Sequence, residues 1–429
     1  MHAHQRTPDM LSVEEAREKI LALSPVLEAE DTPLLDALGQ VLAEDAVAGF
    51  DLPPADNSAM DGYAVRHADI TGAGPDQPKV LTVIGLVAAG QLPVQEVRSG
   101  TAIRIMTGAL IPPGADTVVP FEETDELERT AAGRPLDEIA ILREVGKGDS
   151  VRPAAEDVRR GEIILPKGTV LRPSEVGVLA SLGNATVNVV RRPVVAVLAT
   201  GDELLEPSQP LEPAKIYDSN SYSVASLVRR YGGVPQVLGI ARDNLDSMNA
   251  MLDMGLTSDM LITTAGVSKG DYDIVKDVLA ERGEIAFWSV RMRPAKPLAF
   301  GVLRGSGGHS VPHLGLPGNP VSAMVAFEEL VRPALLKMMG RTNLDKPTVE
   351  AVLEDPIVNA DGRRVYARAI VTKRGGTYYA RLTGAQGSNV LTSMSRANGL
   401  AICPEDVPVM EKGQRVQVRM LDWDEDSVY

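Results

Sequence analysis

The chain has 429 residues, more than one compact core organises, so two to four domains are expected. Its 44% hydrophobic and 24% charged residues describe ordinary globular protein and exclude a disordered or fibrous one. A formal net charge of -15 excludes a broadly basic nucleic-acid face, so an anionic ligand must be held by local cations, backbone N–H groups or a metal ion.

The opening MHAHQRTPDM lacks the apolar stretch of a secretory signal, and the longest apolar runs, such as VVAVLA at 194–199, fall short of the ~18 residues of a membrane span. A cytoplasmic protein with no membrane partner is expected. Ser12 to Leu23, SVEEAREKILAL, carries apolar residues at helical spacing behind a Ser with Glu three positions on, a capping box that predicts a helix. A second helix is expected from Pro33 to Ala43. From Asp51 the character changes to the turn-rich DLPPADNSAMDGYAV and then to short strands such as KVLTVIGLV at 79–87. This predicts an inserted, mainly β domain over 51–148, with 149–189 returning to the first domain begun by 1–50 and starting a helix near Ser174.

Residues 190–341 alternate strand and helix: PVVAVLAT, SYSVASLVRRYGG, VPQVLGIA, NLDSMNAMLDMG, DMLITTAG, then a helix after Asp273. That period predicts a parallel sheet with crossover helices. Residues 342–429 change period again, with RVYARAIVTKRGGTYYARLTG predicting a hairpin through its Gly-Gly turn in a small β domain. The single cysteine, Cys403, permits neither an intrachain disulfide nor a Cys-based zinc site and suits a reducing compartment.

Ligands of open parallel sheets bind beyond the carboxyl ends of the strands. TGDELL at 200–205 supplies Thr200, Gly201, Asp202 and Glu203 there; the glycine admits close backbone approach, while the two acids can equally cap a helix. Asp243 in RDN has the same two readings. In AGVSKGDYD at 265–273, Gly266, Ser268 and Gly270 can present donors to a phosphate beside Lys269, yet Asp271 and Asp273 cannot face that phosphate without a bridging ion. Magnesium removes the conflict, because it binds one or two carboxylates together with phosphate oxygens; a plain solvated turn is the alternative. VRMRPAKPLAFG at 290–301 gathers Arg291, Arg293 and Lys296 between two short strands, as an anion clamp or as a charge-protected edge. GLPGNPVSA at 315–323 fixes a turn before a helix whose N-terminus can donate to an anion. DNSAMDGYAV at 56–65 sets Asp56, Asn57, Ser58 and Asp61 around Met60 and Tyr63, and by itself names no reaction.

In order and spacing, DNSAMDGYAV, RIMTGALIPPGADTVVPFEE (104–123), VRPAAEDVRRGE (151–162), TGDEL, IYDSNS (216–221), GVSKGDYD, RPAKPLAFG and GLPGNPVSA resemble the MoeA and gephyrin E-domain family of molybdopterin molybdenumtransferases, from about residue 10 to 335. The resemblance implies a multidomain α/β plus β protein. Its elongated four-domain subunit would have a doubly wound parallel-sheet molybdopterin-binding domain, an inserted mainly β domain and a C-terminal β domain. It implies a homodimer in which the DNSAMDGYAV turn of one copy faces the α/β domain of the other. The implied reaction inserts molybdenum from molybdate into adenylylated molybdopterin with Mg2+-dependent release of AMP, downstream of a molybdopterin-adenylylating protein.

Carried over position by position, the resemblance makes Asp61, Glu203, Asp243 and Asp273 the catalytic acids, with Asp273, Glu203 and Asp243 as metal ligands. It assigns substrate binding to Asn57, Ser58, Thr200, Gly201, Asp202, Gly266, Ser268, Gly270, Arg293, Lys296, Pro317, Gly318 and Pro320. Three positions depart from the family pattern: Ala265 and Ala295 stand where glycine is common, and Arg293 where lysine is. A non-catalytic scaffold of the gephyrin kind is the competing reading and predicts an apolar peptide groove. A hydrolase of another nucleotide is a third, which would not require DNSAMDGYAV.

Overall fold

Val194–Thr200 is apolar to its last residue, a pattern that needs burial on both faces, and the computed structural model sets it inside a seven-stranded sheet. The structure describes residues 10–242, 244–264, 281–305, 308 and 310–423. Across this sheet the order is Met10–Leu11, Gly283–Val290, Pro297–Arg304, Ser310–Leu316, Met260–Thr264, Val194–Thr200 and Val234–Ala241. From Ser310–Leu316 to Val234–Ala241 all neighbours are parallel, as the alternating pattern predicts. Pro297–Arg304 instead runs antiparallel to both its neighbours, Gly283–Val290 and Ser310–Leu316, and so adds an antiparallel strand to the parallel sheet. Their links, 291–296 and 305–309, are too short for a crossover of a dozen or more residues, so only antiparallel neighbours can be joined there.

Helices Asn220–Arg230 and Leu245–Gly255 pack on this sheet, and Pro320–Ala326 continues through a π turn at Phe327–Val331 into Arg332–Met338. Helix Val13–Ala22 carries the predicted capping box: Glu15 N donates to Ser12 Oγ at 3.1 Å, and Ser12 N to the Glu15 carboxylate at 2.7 Å. No helix covers 33–43. A single turn forms, with Ala37 N donating to Pro33 O at 3.1 Å, because Ala29–Pro33 before it and Val41–Leu42 after it are both drawn into pairing with Thr186–Val190.

The C-terminal strands close on themselves: Thr348–Leu353, Thr377–Leu382, Arg364–Arg374, Gly399–Cys403 and Arg415–Met420 pair in a ring, since Arg364–Arg374 bonds both Thr377–Leu382 and Gly399–Cys403. The predicted Gly375–Gly376 hairpin is one corner of this barrel. Met292–Arg293, from the linker of the large sheet, adds in parallel to Arg364–Val365 and so hooks that linker onto the barrel.

These elements belong to one of two compact units, formed by Met1–Ala43, Gly168–Arg172 and Thr186–Tyr429; the other comprises Glu44–Lys167 and Pro173–Ala185. The second unit is built on a five-stranded sheet in the order Glu138–Ile141, Lys79–Val87, Thr101–Ile105, Gly62–Val65, Thr117–Pro120. Strand alternation divides its core, with Tyr63 and Val65 packing on one face and Ala64 on the other. Gly62 is required by the pairing, because a Cβ there would lie 2.0 Å from Val119 O. Among the described residues no helix is long and apolar enough to cross a membrane.

Candidate active site

Leaving Val194–Thr200, the chain passes to Val234–Ala241 on one side and then to Met260–Thr264 on the other, so the strand order reverses at Thr200. Such a switch opens a crevice beyond the carboxyl ends of the two diverging strands. Thr200 Oγ1 donates to Thr264 O across it at 3.3 Å, and Gly201 N donates to Ala241 O at 3.2 Å. Gly201 lies at φ +140, and a Cβ on it would come within 2.4 Å of Glu203 Oε2; the Glu203 carboxylate therefore folds back over residue 201, where only glycine leaves room. Ile216 N donates to Glu203 O at 2.9 Å and Lys215 Nζ to Asp202 O, which fixes the loop from beneath.

The capping role open to Asp202 and Glu203 falls away, because strand Leu204–Leu205 follows them and the next helix begins only at Asn220. Glu203 is exposed and takes no ion pair or hydrogen bond to its carboxylate from the described residues. At the second loop, Asn244 caps Leu245–Gly255 by accepting from Ser247 N at 2.9 Å, so Asp243 is not needed as the cap. Asp243 itself, and Ala265, Gly266, Ser268, Gly270 and Asp273, lie outside the described residues.

The predicted basic segment lines a cavity of about 590 Å³ between the sheet linker and the barrel. Arg293, Lys296 and Pro317 line it together with Arg363, Arg368 and Ser388, and among the described residues no carboxylate does. Arg368 dominates its electrostatics. It is 1% exposed, and its guanidinium meets only neutral acceptors, Ser393 Oγ and Gly387 O, each at 3.1 Å. Burial, and then the like charge of Arg293, push Arg368 down to about 10. A buried cation with no counter-charge among the described residues, beside two more cations, has the chemistry to accept an oxyanion.

Around this cavity the sequence enforces rigidity. In residues 293–297 a proline follows each cation, Pro294 after Arg293 and Pro297 after Lys296, and Val290 N donates to Lys296 O at 2.8 Å. Ala295 adopts φ +78, a left-handed conformation that costs an alanine about 1–2 kcal/mol. Gly318 and Pro320 do not line the cavity: Gly318 O accepts from Asn220 Nδ2 at 2.8 Å, and Pro320 begins its helix. Val321 N donates to Ser388 O at 3.1 Å, tying that helix to the barrel rim.

Asp61, Asn57 and Ser58 belong to the second unit. Asn57 and Ser58 use their side chains on the turn, Nδ2 to Ala55 O at 3.3 Å and Oγ to Met60 O at 2.6 Å. Asp61 is set at the entry of Gly62–Val65, where one carboxylate oxygen accepts from both Thr107 N and Thr107 Oγ1 at 2.7 Å. These bonds hold its carboxyl below the usual carboxylate range. In Thr107→Val the hydroxyl bond is lost, so the Asp61 midpoint is expected to rise toward its ordinary value. Carboxyl NMR titration checks this, and an unmoved midpoint would contradict it.

Sequence reasoning missed Arg368, Arg363 and Ser388. Strand alternation places Arg368 opposite the barrel-lining Ala367 and Ala369, a position usually solvated; here its neighbour Tyr366 packs into the core of the large sheet, so both faces of the strand are covered. The available signal was an arginine inside VYARAIV, apolar on both sides.

Comparison with known proteins adds to this geometry. Residues 11–183 match the MoeA N-terminal region (domain I and II), 196–337 a probable molybdopterin binding domain, and 350–421 the MoeA C-terminal region (domain IV). The chain is 37% identical to molybdopterin molybdenumtransferase 2 of Mycobacterium tuberculosis over 97% of its own length and 100% of the relative's. It is 35% identical to the molybdopterin molybdenumtransferase of a Nostoc species, over 97% and 95%. A crystal structure of a molybdopterin biosynthesis MoeA protein from Pyrococcus horikoshii is similar with TM-score 0.80 and 31% identity, covering 97% of this chain and 100% of that one.

Proposed function

The chain belongs to the MoeA family of molybdopterin molybdenumtransferases, enzymes of molybdenum cofactor biosynthesis, and on that premise we propose that it transfers molybdenum from molybdate to adenylylated molybdopterin with release of AMP. The observation that carries the finer reading is the cavity around buried Arg368, lined by cations and, among the described residues, by no carboxylate, which suits a tetrahedral oxyanion and is unlike an apolar peptide groove. Arg293, Lys296 and Arg368 hold molybdate there by charge-assisted hydrogen bonds. The crevice at Thr200–Glu203 takes the pterin nucleotide, with Gly201 leaving the room in which the Glu203 carboxylate folds over the loop.

Glu203, an exposed carboxylate with no partner among the described residues, would hold Mg2+, and Asp243 and Asp273, which lie outside those residues, are the further ligands that the resemblance implies. Mg2+ takes carboxylates together with phosphate oxygens and water, which is the donor set that Glu203 and a bound pyrophosphate would offer. When bound it supplies charge neutralisation at the pyrophosphate. Glu203 orients the phosphate end of the substrate, while the prolines flanking Arg293 and Lys296 keep molybdate from drifting off the sulfurs it is to join. Asp61, whose carboxylate is held in place by Thr107, acts from the second copy of a homodimer. A cytoplasmic location, an upstream molybdopterin-adenylylating partner and the four-part division at 1–50 with 149–189, 51–148, 190–341 and 342–429 belong to the same proposal.

The test mixes the purified chain with adenylylated molybdopterin, Mg2+ and molybdate. AMP release that requires molybdate is expected; release at the same rate without molybdate would remove the reading, and sedimentation as a monomer only would remove the shared site.

A further inference from the structure

Ala295 is the one residue of the oxyanion loop whose backbone works against its side chain. It sits at φ +78, is 4% exposed, and lines the cavity between Arg293 and Lys296. Both ends of the loop are fixed independently of it. Met292–Arg293 is paired with Arg364–Val365, Arg291 N donates to Leu11 O at 2.8 Å, and Lys296 O accepts from Val290 N at 2.8 Å. Pro294 and Pro297 each hold their own φ near a single value. With the neighbours so restricted, residue 295 is the remaining soft point between the two cations, and a glycine there would reopen both sides of φ space. An alanine forced into the left-handed region persists only where its surroundings over-determine it, and such positions gather at ligand clamps.

From these observations we propose that Ala295 is a positioning residue: its Cβ, held by the closed loop, removes the last backbone freedom between Arg293 and Lys296 and so presets their spacing for the oxyanion. The proposal rests on the reading of this cavity as the molybdate site. It separates two effects that usually travel together. Relieving the left-handed alanine leaves the folded protein as stable or more so, while loosening the cations lowers affinity, since ordering them becomes part of binding.

The experiment compares the full-length wild type, Ala295→Gly and Ala295→Ser by molybdate titration calorimetry, thermal melting and steady-state kinetics. Ala295→Gly is expected to melt at or above the wild-type temperature, to bind molybdate roughly threefold to tenfold more weakly, and to raise KM for molybdate with kcat little changed. Ala295→Ser, which keeps a Cβ, is expected to bind like the wild type. Equal molybdate affinity in all three proteins would overturn the proposal, and so would weakening in the serine variant equal to that in glycine. Absence of molybdate binding by the wild type would instead overturn the reading of the cavity, and this inference with it.

Discussion

Arg368→Met is expected to abolish most molybdate binding while leaving the fold intact. The side chain is 1% exposed and bonded only to Ser393 Oγ and Gly387 O, so the protein buries a full positive charge without neutralising it. Methionine fills comparable space and removes that desolvation cost, which offsets the two lost hydrogen bonds. A charge-assisted hydrogen bond contributes about 1.5–3 kcal/mol, so affinity should fall by roughly ten- to a hundredfold, with KM for molybdate rising in step. The melting temperature should hold or rise. Calorimetric titration and melting on one sample decide the matter: unchanged affinity would dissociate Arg368 from the oxyanion, and a large loss of stability would make it a structural residue. Arg368→Lys should recover only part of the binding, because an ammonium offers a point charge in place of a planar fork.

Glu203→Gln should be the most damaging substitution at the switch-point crevice. The amide occupies the same space above Gly201 but carries no charge for a metal ion or a developing transition state. A fall in kcat of about a hundred- to a thousandfold is expected, with a higher Mg2+ requirement. Because the carboxylate is exposed and takes no bond from the described residues, thermal stability should shift by no more than about 0.5 kcal/mol. Kinetics at several Mg2+ concentrations test this, and a variant with wild-type kcat would place the chemistry elsewhere. Gly201→Ala should reproduce the kinetic loss with a stability penalty added, since its Cβ would displace Glu203 and the φ of +140 disfavours any side chain.

The parallel core of the large sheet was readable in the sequence from apolar runs followed by amphipathic helices, as in VVAVLAT before SYSVASLVRR, while the helix expected after Asp273 begins outside the described residues. The Gly375–Gly376 hairpin was equally plain. Barrel closure was not, because Gly399–Cys403 and Arg415–Met420 earn their places only through partners far away in sequence. The expected helix at 33–43 failed for a related reason: local periodicity was outweighed by strand pairing with Thr186–Val190. In the candidate site, Arg293, Lys296 and Pro317 could be read from short motifs, whereas Arg368 is buried beside the cavity only because a second layer covers its face of the strand. For Glu203 the sequence left capping and chemistry level; the strand that follows it removes the cap.

The parallel pairing of Met292–Arg293 with Arg364–Val365 bears on how this chain can be recombined. The stretch between 337 and 350 invites a cut, since one family region ends and another begins there. Yet the half of the anion receptor at 293–297 is stitched to its other half at 363–388 by main-chain bonds that span the cut. A chimera joined at that seam would inherit two surfaces selected in different proteins, so linker and barrel must be exchanged as a matched set.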